Sequence, residues 1–230
     1  LTMRAIRTPF RFNAAQYDAS RWQSMRQGAA MMIAAQQALQ KSGHTVLSKV
    51  GPKDGKFSLW DHYPADKITD SARRYQYYYH SHRSSPKEHG HFHLFSTLQA
   101  DGTMPPAGTP GVQASSHLLA IGISPQGLPN GIFSTNRWVT GGYWLPADEI
   151  LPRLDGFTVE NTRHWVQVTR WLTGFVQLFW PQIEALLLAR DRQAEEWRGK
   201  REWPVFWEDQ SIEVLNFIPV DLDRQTGLLD

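Results

Sequence analysis

Residues 77–95, YYYHSHRSSPKEHGHFHLF, hold five of the chain's nine histidines. Four form two His-x-His pairs, His80/His82 and His91/His93, and His89 precedes the second pair. Imidazole ligates divalent metals and exchanges protons near neutral pH. The density therefore raises two chemistries, a metal site and a general acid–base site. The plainer alternative is a pair of polar strand faces. Five histidines within fourteen residues is far above what nine in 230 give by chance, which favours a site.

The spacing turns density into geometry. In a strand, residues i and i+2 share a face, about 6.5–7 Å apart. Tyr78, His80 and His82 then share one face, and His89, His91, His93 and Phe95 share one face of the next strand. Phe92 and Leu94 alternate with them and should meet the core. The connection over 83–88 is short, so the two strands should be antiparallel neighbours. Cross-strand side chains sit about 5 Å apart, and imidazoles so placed can converge on one ion. The expected ligands are His80, His82, His91 and His93, with His117, which opens a later strand, as a further one. Neutral imidazoles without thiolate suit a divalent transition metal, Zn or Fe foremost, with Mn or Cu also admissible. Three histidines with an open position would make a Lewis acid or an activated water. Two histidines with a carboxylate would suit non-haem iron. Glu88 could be that carboxylate, the partner of a histidine, a general base, or only a turn residue. Glu88 and His89 are the candidate proton carriers. His44, His62 and His164 stand alone and read as packed or surface histidines.

A second informative stretch is STNRWVTGGYW, residues 134–144. Asn136, Arg137, Trp138 and Thr140, with Tyr78, are the candidate substrate-binding residues. Arg137 could hold a carboxylate or phosphate in a two-pronged contact, and Trp138 and Trp144 could wall a ligand. Gly141 and Gly142 permit a tight turn or bulge. The alternative is an Arg paired with an internal acid and two core tryptophans.

These groups need elements to hold them. The 230 residues are 41% hydrophobic and 12% aromatic, enough to bury a sizeable core in one domain, 1–230. Net charge is +2, from 24 basic and 22 acidic residues, too balanced to imply nucleic acid or an anionic membrane. Arg4, Arg7, Arg11, Arg21 and Arg26 crowd the start, an interaction arm or an ordinary solvated lead-in. There is no Cys, which excludes a disulfide framework, a zinc ribbon, an iron–sulfur cluster and a thiol nucleophile. No run of 18 apolar residues occurs, and LTMRAIRTPFRF lacks an apolar signal segment. The default compartment is the cytoplasm.

The apolar spacing predicts a helix over 14–42, capped by Asp18 or Ser20 and ended at Gly43. Residues 45–145 read as β, beginning with a hairpin of TVLSKV and KFSLWDHY about GPKDG. Residues 147–199 read as a short helix and then a long one kinked near Pro181, and 200–230 as a tail with a last strand at 211–218. The fold class is α+β: an antiparallel meander of about 6–7 strands, covered by the N-terminal helix and the long C-terminal one.

Three resemblances follow. HSHRSSPKE is similar to the His-x-His…Glu motif of cupins, with a longer spacing to Glu88 and no match to the second cupin motif. HGHFHLF resembles the metal-binding His-hydrophobic-His strand of single-strand nucleases that use a tyrosine nucleophile. That family needs a tyrosine on a later helix, and the only one after His93 is Tyr143, ahead of the helices. More broadly, HYP at 62–64, YQYYYHSHR, EHGHFHLF and FSTNRWVTGGYW together resemble a family of bacterial proteins known only as a domain of unknown function. That resemblance implies a shared fold and site over about residues 60–145 and carries no activity.

Two readings of function stand. In one, this is a metal-dependent enzyme acting on a small, anionic organic molecule oriented by Arg137. In the other, it is a non-catalytic accessory or binding protein with a structural metal or small ligand, or a subunit of a homo-oligomer or larger assembly.

Overall fold

The computed structural model describes residues 6–81, 88–98, 114–159, 163–198 and 206–229. His82, an expected ligand, lies outside them. Seven strands form one sheet: β1 (Ile6–Arg7), β2 (His62–Thr69), β3 (Tyr75–Ser81), β4 (Gly90–Leu98), β5 (Ala114–Ile123), β6 (Pro129–Thr135) and β7 (Val214–Pro219). Their order is β1-β7-β6-β5-β4-β3-β2. From β2 to β7 every neighbour is antiparallel, and β1 joins β7 in parallel. The expected α+β meander is therefore the architecture.

Among the described residues the helices are α1 (Ala19–Lys41), α2 (Val46–Val50), α3 (Arg137–Thr140), α4 (Ala147–Asp155), α5 (Val166–Leu178), α6 (Trp180–Arg198) and α7 (Leu222–Thr226). Asp18 caps α1 by accepting from the Arg21 N–H, a contact worth about 1 kcal/mol. Met25, Ala29, Met32, Ala35 and Leu39 then face inward at helical spacing. α1 crosses α5 with backbones nearly touching. A Cβ on Gly28 would lie 2.7 Å from the Gly174 carbonyl oxygen, and one on Gly174 2.6 Å from that of Gly28. Both positions must therefore stay without a side chain. Trp171, Leu172 and Phe175 of α5 join Met32 and Leu39 of α1 over Tyr77, Tyr79, Phe92, Leu94 and Ile121. Each buried side chain of this size contributes about 1.5–3 kcal/mol. This layer fixes one face of the sheet and leaves the other to carry the histidines.

Four local expectations fail. TVLSKV is helix α2 and not a strand: Thr45 and Ser48 cap each other's backbone N–H groups, and that reciprocal pair starts a helical turn despite the β-branched valines. The first hairpin therefore does not form, and the strand placed in KFSLWDHY begins only at His62. β6 stops at Thr135, because Asn136 caps α3, accepting from the Arg137 N–H. The long C-terminal helix is two, α5 and α6, meeting at 72°. Pro181 sits in the first turn of α6, where its missing N–H costs nothing. No single helix among the described residues is long and apolar enough to cross a membrane.

Candidate metal centre

Strand register sets the site. Two rows of directly paired residues cross the open face of the sheet. One runs His62, His80, His91, Gly122, Gly131, and the next runs Tyr78, His93, Ala120, Phe133, Phe217. Gly122 and Ala120 leave β5 low, so the rings of His91 and Phe133 meet above it edge to face, 4.9 Å between centroids. Beside His80, a Cβ on Gly90 would run into the His80 carbonyl oxygen, so a glycine is what lets β4 pair closely with β3 there.

The row structure brings three imidazoles together. His80, His91 and His93 each offer a nitrogen, and these atoms all lie within 4.8 Å of one another. Among the described residues this is the only group that could hold a metal ion. Nitrogens 2.0–2.1 Å from a common tetrahedral ion are about 3.3 Å apart, so a small swing of the rings closes the set. His91 and His93 are buried, at 5% and 1% exposure, and His80 is half-buried.

Two of the three imidazoles are held from behind by different partners. His91 donates from Nδ1 to Glu88 Oε1 at 3.0 Å, which would leave the Nε2 lone pair to ligate an ion, a carboxylate–histidine arrangement that raises ligand basicity. His93 Nδ1 lies 3.0 Å from His117 Nε2, and His117 Nδ1 lies 3.3 Å from Thr135 Oγ1. With His93 binding through Nε2, its Nδ1–H donates to His117, which donates in turn to Thr135. Burial, helped by the charges of His91 and Arg190, pushes His117 down to about 3, so it stays neutral and suits that chain. His117 thus stands behind His93 and outside the three-histidine group, not in the position of a further ligand that was expected of it.

His89 departs from the expected face. Its Nδ1 is 2.8 Å from the Tyr79 hydroxyl and its ring packs edge-on against Phe57, both on the helix-covered side. It lies before β4 begins, so strand alternation does not reach it. In exchange the site gains His62, which the sequence reading set aside. It stacks on Tyr78 at 4.0 Å and sits 5.5 Å from His80, ring to ring. Desolvation and then Lys67 lower its pKa. Only knowledge of the β2–β3 register could have found it. Burial pushes the Tyr78 hydroxyl up to about 12, so it remains a donor.

The imidazoles form one wall of a cavity of about 630 Å³. Phe133, Thr135, Trp138, Val139, Val214 and Phe217 complete its largely apolar lining, together with Trp60. The charged residues on its described lining are carboxylates, Glu88 and Glu213. The second stretch delivers only part of what was expected. Trp138 does line the cavity, fixed by an Nε1–H donated to the Ile212 carbonyl at 2.8 Å. Asn136 is fully buried and structural, capping α3 and donating to the Phe206 carbonyl. Arg137 is ion-paired with Glu208 on the surface and does not reach the cavity. Thr140 borders a separate small hollow with Arg190, and Trp144 packs on Trp207 beneath the Arg190 guanidinium. Gly141 and Gly142 take positive φ, 64° and 89°, in the turn after α3.

Comparison with known proteins returns one finding. No curated protein and no solved structure matches this chain. A family model described as a domain of unknown function, DUF6969, matches residues 26–220. That span runs from within α1 to the end of β7 and includes every residue of the cavity wall. The chain belongs to that family.

Proposed function

We propose that this is a metal-dependent enzyme whose centre is a divalent ion, Zn or Fe, held by His80, His91 and His93. The observation that carries the reading is three imidazole nitrogens, all within 4.8 Å of one another, on the inner wall of a 630 Å³ cavity. Three protein ligands leave positions for exogenous molecules, and the cavity lies where those positions would open. A bound ion there supplies a Lewis acid. The protein's own groups do the rest. Glu88 aims His91, the His117–Thr135 chain aims His93, and the Tyr78 hydroxyl donates to what enters. His62 offers a neutral base beside His80. The substrate is a small organic molecule with a largely apolar body, matching the aromatic and aliphatic part of the lining. An anionic substrate loses its support, since Arg137 is committed to Glu208 and the charges on the described lining are negative.

The test is elemental analysis after loading with Zn(II), or with Fe(II) under anaerobic conditions, for wild type and the double variant His91→Ala, His93→Ala. One ion per wild-type chain and none in the folded variant is the expected result. A wild type that takes up no ion under any loading ends the reading. Cobalt-loaded protein then separates enzyme from accessory protein. Azide should shift the visible spectrum of an open site, and a spectrum indifferent to azide means a closed, structural ion.

A further inference from the structure

Trp60 is out of keeping with its surroundings. It is 62% exposed, yet its ring lies 5.8 Å from that of His80, on the cavity that holds the triad. Its backbone sits at φ 71°, a region bulky residues rarely adopt. Isolated exposed aromatics are ordinary on protein surfaces. This one is unusual in being both strained and set at the metal cavity, a combination associated with functional positions. The same cavity is lined by Phe133, Trp138, Phe217 and Tyr78. Trp138 is held by the hydrogen bond it donates to the Ile212 carbonyl. Aromatic rings attract one another in offset or edge-to-face contact at 4.5–7 Å, and a cavity of this volume suits a small ligand.

We propose that the cavity takes a flat aromatic ring laid against Trp60, with a metal-binding group on the same molecule turned to the triad. This deepens the metal reading above and rests on it for the second half. Trp60 is then a specificity-determining residue. It recognises the ring, and the histidines hold the ion that recognises the head group.

Two hydroxamates sharing one head group separate these halves. Cobalt-loaded wild type, Trp60→Ala and Trp60→Phe are titrated with benzohydroxamate and acetohydroxamate, following the visible spectrum. Wild type should bind the aromatic probe at least about tenfold more tightly. Trp60→Ala should lose most of that ratio with metal content and acetohydroxamate affinity unchanged, and Trp60→Phe should keep most of it. A ratio near one in wild type, or an undiminished ratio in Trp60→Ala, overturns the proposal. Metal-free protein gives the ring its own trial, by saturation-transfer NMR with benzamide. Signal in wild type that disappears in Trp60→Ala supports the subsite even if no ion binds. Equal signal in both, or none in either, overturns it.

Discussion

On β3 and β4, Tyr77, Tyr79, Phe92 and Leu94 point one way, and Tyr78, His80, His91 and His93 point the other. The first set is sealed under α1 and α5, with polar tips answered locally: the Tyr77 hydroxyl is 2.9 Å from Thr169 Oγ1, and the Tyr79 hydroxyl is 2.8 Å from His89. Burial raises the pKa of both tyrosines, so they stay neutral core groups. The second set faces a cavity, and its three histidines bring one nitrogen each within 4.8 Å of one another. One backbone thus carries a stability layer and a chemical layer, separated only by the parity of residue number. Neighbouring substitutions should have effects of different kinds, and the experiments below test that separation.

The largest effect belongs to the covered face. Phe92→Ala should cost about 3–5 kcal/mol in denaturant unfolding while the folded variant still binds one ion per chain. Loss of metal from a variant that remains folded would break the separation. Next, on the open face, Glu88→Gln should weaken metal affinity about 10–100-fold with an unchanged unfolding midpoint in metal-free protein, read by competition with a chelator. A third test uses pH in metal-free protein. Burial depresses His117 to about 3 when folded, against an ordinary value of 6.5. Between those values the unfolded chain binds the extra proton, so His117 contributes stability that is complete above about pH 6.5 and is lost as pH falls. His117→Gln should flatten the acid side of the stability profile by up to about 1.4 kcal/mol per pH unit. An identical slope in both proteins would mean that His117 is not buried in solution. Smallest, Tyr77→Phe should cost about 1 kcal/mol by removing the buried Tyr77–Thr169 hydrogen bond, with metal affinity untouched.

The sequence revealed the parity and missed what interrupts it. Alternation put His80, His91 and His93 on one shared face and turned Phe92 and Leu94 inward, because a period of two survives any error in strand ends. It failed at His89, one residue ahead of β4, where the chain is no longer pleated. It failed at 45–50, where the Thr45–Ser48 capping pair outweighs the strand preference of two valines. Asn136 was read as a ligand contact because nothing in its type separates a helix cap from a binding group. Arg137 takes the alternative of an ion pair, but its acid, Glu208, lies 71 residues away, where no local pattern points to it. His62 stayed hidden for the same reason: its importance arises from pairing with β3, a relation between segments and not a property of either.

The three-strand row His62, His80, His91 has a consequence for assembly. A two-residue slip between β3 and β4 would keep every imidazole on the correct face and every apolar side chain in the core. In the direction that sets His80 opposite residue 89, it would nonetheless carry His93 about 14 Å along the strand from His80, beyond the reach of a shared ion. The period of two leaves the facing of every side chain unchanged in such a slip, whereas coordination distinguishes it. Metal uptake would then act as a proofreader of strand pairing, retaining chains whose sheet has closed in the right register and passing over those that merely collapsed.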